Sequence, residues 1–137
     1  EILYAWLETE LIARRSCVVE SNFKPEWASP RLRALHGRYP FTAIQVQLHT
    51  DGPVLHARFQ ARATAAGRHP GHGDAGLLEE LGPDLRRGHY DDLAIGGPVI
   101  HLDTTDFTHL DYPRLLATVQ DLLHDPAPAG PGTAIPS

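Results

Sequence analysis

The stretch VVESNF, Val18 to Phe23, runs two β-branched apolar residues straight into a carboxylate, then a hydroxyl, an amide and an aromatic ring. β-Branched pairs favour strands, and a buried strand ends on an acid when the acid has a role at the sheet edge. Cys17-Val18-Val19 is therefore expected to be a short buried strand of a layered α/β fold.

The pattern on either side agrees. Upstream, Leu3, Leu7 and Leu11 recur at i, i+4 and i+8 with Trp6 beside them, one helical stripe over residues 1–13. Arg14 and Arg15 suit the negative end of that helix. Downstream, Ser29-Pro30 reads as an N-cap and first-turn proline of a helix reaching Arg38. FTAIQVQL, Phe41 to Leu48, is β-rich and reads as a second strand. Thr50-Asp51-Gly52-Pro53 is a turn opening a helix to about Ala66, and GRHPGHGD, Gly67 to Asp74, is a loop. Leu77, Leu78 and Leu81 suggest a short helix, and PVIHL, Pro98 to Leu102, a third strand. Asp111-Tyr112-Pro113 begins a last helix, with Leu115, Leu116, Val119, Leu122 and Leu123 on one face. From Pro126 the tail is Pro-, Gly- and Ala-rich and is expected to be disordered.

Size and composition limit the possibilities. A chain of 137 residues with 42% hydrophobic content suits one domain with a core. The net charge of -5 argues against a general nucleic-acid or anionic-membrane binder. The single Cys17 excludes an internal disulfide and a cysteine-based zinc site, and beside an apolar run it reads as a buried, inert thiol. No apolar run reaches the roughly 18 residues needed to span a bilayer. No signal peptide is visible, so a reduced cytoplasm is expected. The chain opens on Glu1 inside an amphipathic pattern and contains no Met, and is read as a piece of a longer chain.

Ligands of parallel α/β sheets sit beyond the carboxyl ends of the strands. The three expected ends, Glu20-Ser21-Asn22, His49-Thr50-Asp51 and Asp103-Thr104-Thr105, are all polar. Turn and cap duties account for Asp51 and Asp111. Glu20 has no helix signal after it until Ser29, so both a site and a solvated loop stay open for it. Arg58 and Arg62 share one helical face, with Arg68 in the loop beyond. Like charges four apart are mildly unfavourable to a helix, and make sense if an anion lies against them; a guanidinium fork grips phosphate oxygens in pairs. A solvated helix face is the alternative. His69, His72 and Asp74, with His89 further on, allow a metal reading, but HxxH in a loop is a weak signal among nine histidines.

Three strings together, VVESNF, RFQARATAAGRHPGH and VIHLDTTDF, resemble the P-loop kinases often labelled AAA-family ATPases, cousins of polynucleotide kinase, zeta toxin and chloramphenicol phosphotransferase. The resemblance covers about residues 1–123, with GRHPGH its most specific part. It implies a three-layer parallel sheet with helices on both faces, a domain over residues 1–125 and a lid near residues 58–74. It implies ATP and Mg2+ as cofactors and a small-molecule or nucleotide-type acceptor, while the acidic charge weighs against nucleic-acid partners and the lack of a long apolar run against a membrane. Glu20 would orient metal-bound water or an acceptor hydroxyl, and Ser21 and Asn22 would line the acceptor pocket. Arg58, Arg62 and Arg68 would close over the triphosphate, with Arg62 and Arg68 steadying the transferring group. Asp103, Thr104 and Thr105 would stand beside the adenine.

The departure is large. The phosphate loop G-x-x-x-x-G-K-[ST] is absent, and the one lysine, Lys24, follows Phe23 rather than a glycine. The family's phosphate loop and first two strands would lie upstream, the first strand falling between the VVE strand and FTAIQVQL. The expectation is therefore the carboxy-terminal part of an ATP-dependent kinase, inactive by itself. Two alternatives remain: a non-enzymatic anion- or nucleotide-binding module, and a His/Asp metal-dependent hydrolase.

Overall fold

A computed structural model of the chain describes residues 2–63, 74–125 and 133–134. Five helices and three short strands follow in the order α1 (Ile2–Ile12), α2 (Pro25–Arg38), β1 (Gln45–His49), α3 (Gly52–Ala63), α4 (Asp74–Arg87), β2 (Val99–Asp103), α5 (Tyr112–His124) and β3 (Thr133–Ala134). The fold is α/β with a small parallel sheet in the order β1-β2-β3. Register runs from Gln45 beside Val99 to His49 beside Asp103.

Two expected boundaries move for physical reasons. Helix α2 begins at Pro25, whose ring presets the helical φ at the first turn, after Lys24 in an extended conformation. Ser29 is no cap: it lies inside α2, 4% exposed, and its hydroxyl accepts from the Ala94 amide at 3.1 Å. The short helix around Leu78 and Leu81 is a 14-residue helix with Pro83 inside it. Asp51 and Asp111 do cap α3 and α5, accepting from the Val54 amide at 3.1 Å and the Arg114 amide at 2.9 Å.

The expected strand Cys17-Val18-Val19 is not a strand. Residues 15–24 are irregular, with Val18 96% exposed. Cys17 and Val19 still point inward, onto a cluster of Leu7, Ala28, Leu32 and Leu35 that joins α1 to α2. The segment thus has the alternation of a strand but no ladder partner among the described residues. A strand without a neighbour leaves its backbone groups to water, and the regular ladder is not formed. The tail expectation also changes in one place: Thr133–Ala134 pairs in parallel with Ile100 and His101. The rest of the tail, residues 126–132 and 135–137, lies outside the described residues.

The half with α1 and α2 meets the sheet through a polar joint rather than a continuous apolar core. The connection between α4 and β2 is hydrogen-bonded from both sides. Ser29 and Arg33 of α2 hold Ala94, the second through its carbonyl at 3.1 Å. Gln45 and Gln47 of β1 hold the Leu93 amide at 3.1 Å and the Tyr90 carbonyl at 2.9 Å. His101 of β2 meets Asp92 at 2.9 Å. The polar residues of β1 therefore face inward, and Val46 and Leu48 are left 39% and 55% exposed.

Helix α4 closes on the start of α3 without room for a side chain. A Cβ on Gly52 would stand 1.8 Å from the Arg86 carbonyl oxygen, and one on Gly88, whose φ is +80°, 2.0 Å from that of Thr50. Gly37, near the end of α2, meets nothing within 4 Å. Gly52→Ala is expected to destabilise the protein by about 1–3 kcal/mol through overpacking against backbone. Gly37→Ala is expected to stabilise it by about 0.5 kcal/mol by restricting the unfolded chain. Urea unfolding of the two variants measures the contrast.

Candidate functional site

Because β1 and β2 are parallel and in register, their carboxyl ends emerge side by side. The two turns beyond them are knitted together. Thr50 and Thr104 share a hydrogen bond between their hydroxyls at 2.6 Å. The Thr104 amide and hydroxyl both donate to the His49 carbonyl, at 2.8 and 2.9 Å. The Asp51 amide donates to the Thr105 hydroxyl oxygen at 2.8 Å. The Thr105 amide donates to Asp103 at 2.8 Å, and His49 Nδ1 stands 3.8 Å from the same carboxylate. Hydrogen bonds from the Thr105 side chain and then its amide hold the Asp103 carboxyl below the usual range, with the nearby His49 adding to them.

Arg58 reaches this cluster from α3. Its two terminal nitrogens donate to the Thr104 and Thr105 carbonyls, both at 2.7 Å. Its guanidinium lies over the Phe107 ring, 4.3 Å from the centroid. Arg58 thus clamps the Asp103–Thr105 turn, and its fork is directed at backbone oxygens. Arg62, one turn further on, is exposed and lies 5.1 Å over the Phe59 ring. The structure therefore brings together Arg58, Asp103, Thr104 and Thr105, and adds His49, Thr50 and Phe107, whose ring is 58% exposed.

Glu20, Ser21 and Asn22 make no hydrogen bond to that cluster among the described residues. All three are exposed, on the irregular segment after Val19. No hydrogen bond or ion pair joins them to Arg58 among the described residues. The Phe23 amide turns back to the Ser21 carbonyl at 2.9 Å, and Phe23 packs on the α1–α2 cluster. Arg68, His69 and His72 lie outside the described residues, as does the side chain of Asp74. His89 is exposed, and no group of three or more His, Cys, Asp or Glu that could hold a metal occurs among the described residues. No helix in them is long and apolar enough to cross a membrane.

A second polar group went unread in the sequence. Lys24 Nζ reaches Asp84 at 3.0 Å, and the Tyr90 hydroxyl donates to the same carboxylate oxygen at 3.1 Å. The Asp84 hydrogen bond raises the Lys24 pKa and the Lys24 hydrogen bond lowers that of Asp84. Burial, then the bond to Asp84, raises that of Tyr90. The available signal was the chain's one lysine, placed directly after ESNF.

Two measurements test this geometry. Arg58→Ala leaves two turn carbonyls without their partner and is expected to cost about 1–3 kcal/mol in urea unfolding. Arg58→Lys is expected to recover less than half of the loss, because a single ammonium does not span both carbonyls. For Asp103, a lowered folded pKa means that its contribution is present above about pH 4 and is lost as pH falls through the folded value. Thr105→Val is expected to move the Asp103 titration, followed by NMR, up toward the ordinary range.

Among solved structures, the chain is similar to a protein from Chloroflexus aurantiacus J-10-fl described as a "putative kinase". The TM-score is 0.72 at 32% sequence identity, over 88% of this chain and 65% of that one. The chain therefore spans less than two thirds of that protein's length. No protein-family model and no curated protein matches. This likeness makes the fold kinase-like.

Proposed function

We propose that these residues form the acceptor- and base-binding part of an ATP-dependent phosphotransferase of the P-loop kinase kind, related to the AAA-family ATPases, in which a three-layer sheet is completed by a segment outside the 137 residues. The observation that carries this reading is the rim where β1 and β2 end: two polar turns held together and clamped by Arg58, in a chain similar to a protein described as a kinase. Catalytic rims of parallel sheets lie at that end.

The residues present fit the adenosine side of ATP better than its phosphates. At the rim, the Asp103–Thr105 turn engages its amides and hydroxyls within the cluster, and offers the exposed Phe107 ring, backed by Arg58, as a flat surface for a base. No glycine-rich phosphate loop occurs, and the one lysine is held by Asp84. The exposed Val46 and Leu48, beside a β1 edge with no strand on it among the described residues, give a further strand and helix a place to pack. ATP with Mg2+ would supply the transferable phosphoryl group there. In this reading Glu20 orients metal-bound water or the acceptor hydroxyl by accepting a hydrogen bond from it. Ser21 and Asn22 hold the acceptor by hydrogen bonds. Arg62, and Arg68 with it, steadies negative charge on the group in transit. The acceptor is a small molecule or a nucleotide-type compound, and the net charge of -5 disfavours long nucleic acids.

In the full-length protein, Glu20→Gln and Arg62→Ala are each expected to lower phosphate transfer from Mg-ATP about 100-fold with the melting transition retained. Calorimetry of the isolated 137-residue chain with Mg-ATP is expected to show no micromolar binding. Micromolar binding by that chain, or full activity in Glu20→Gln, would overturn the reading.

A further inference from the structure

The Glu20 segment is anchored at one point downstream. Phe23 enters the α1–α2 core, and the next residue leaves it: Lys24 crosses to Asp84 of α4, a residue 60 positions later. Tyr90 donates its hydroxyl to the same carboxylate oxygen and receives the Lys24 ammonium over its ring at 5.8 Å. Gln47 of β1 in turn holds the Tyr90 carbonyl at 2.9 Å. Helix α4 itself is pinned to the strand-end cluster. The Thr50 amide donates to the Gly88 carbonyl at 3.0 Å, and Gly52 admits no side chain against Arg86. A continuous path of polar and backbone contacts thus leads from the Glu20 segment, through Lys24 and Asp84, to the turn that carries Thr50. Glu20 is four residues from Lys24, at most about 14 Å of extended chain.

We propose that Lys24 is a positioning residue: its bond to Asp84, braced by Tyr90, sets where the Glu20–Asn22 segment stands relative to the strand-end cluster. This rests on the phosphotransfer reading for its functional consequence, though not for its geometry. The pair is half exposed on both sides, 43% and 37%, so it contributes little to global stability, and its value lies in register. Without it, residues 20–22 are held only to the helical pair, by Val19 on one side and Phe23 on the other, with no tie to α4. A carboxylate that must meet an acceptor hydroxyl tolerates little displacement, since small misplacements cost large factors in rate. The chain's one lysine stands at this point.

The test uses the full-length protein with Lys24→Ala, Asp84→Asn, the double variant and Lys24→Arg. Amide hydrogen exchange at Phe23, whose amide bonds the Ser21 carbonyl, is expected to quicken about tenfold in both single variants, while β1 and β2 keep their protection. Phosphate transfer is expected to fall about tenfold in kcat with KM for ATP unchanged, to fall no further in the double variant, and to return with Lys24→Arg. Unchanged exchange at Phe23 in Lys24→Ala overturns the proposal, as do losses in kcat that add in full in the double variant. A full-length protein whose exchange responds as stated but which transfers no phosphate supports the positioning and removes the phosphotransfer reading.

Discussion

The connection from Tyr90 to Ala94 is the joint on which the molecule depends. It is gripped from α2 by Ser29 and Arg33, from β1 by Gln45 and Gln47, and from β2 by His101. Its hydrogen bonds explain two polar residues in buried positions, Ser29 and Gln45, which would otherwise be costly there. They also explain why the inward face of β1 is glutamine rather than valine. The apolar half of the joint is small: Leu93 and Ile95 reach the α1–α2 cluster from this same connection. A polar joint is directional, so it fixes the angle between the helical pair and the sheet more sharply than apolar contact would.

That arrangement decides which surfaces are left over. With the polar face of β1 turned inward, Val46 and Leu48 lie toward solvent. Helix α5 carries a long apolar stripe yet has no buried residue, with Leu116 and Leu123 61% and 57% exposed. Parallel sheets are ordinarily covered on both faces, and an amphipathic helix gains most of its stability from packing that stripe. The described residues thus contain one face built on the joint, together with apolar residues of β1 and α5 that lie exposed. The rim at the ends of β1 and β2 belongs to neither, and is complete from its own hydrogen bonds.

Much of the rim was legible in the sequence, because period-2 runs that end on polar residues locate strand ends without any knowledge of partners. His49-Thr50-Asp51 and Asp103-Thr104-Thr105 stand out in this way, and the register places them together. The Cys17–Val19 segment shows the limit. Its inward–outward alternation is real, but pairing depends on a neighbour, and local sequence does not carry one. Ser29 shows another: a hydroxyl before a proline has the composition of a cap, and here it serves an amide 65 positions away. The stripe on α5 was equally plain, whereas its coverage is a property of what packs on it.

Arg58 and Arg62 make the same point from the side of charge. One turn apart on α3, they look equivalent in sequence, and a shared anion accounts for both. The structure separates them. Arg62 lies on the exposed side of the helix and rests on Phe59. Arg58 satisfies two carbonyls at the bend after β2, groups that the sheet cannot pair because the strand has ended. A guanidinium is the side chain suited to such a bend, since its fork matches two adjacent carbonyl oxygens and its flat face rests on Phe107. Its positive charge is thereby placed at the rim whether or not its nitrogens ever touch a ligand, and the field reaches an anion approaching over the turn. The inner arginine therefore holds the surface on which a ligand would be received, a duty that charge spacing alone does not distinguish from gripping the ligand itself.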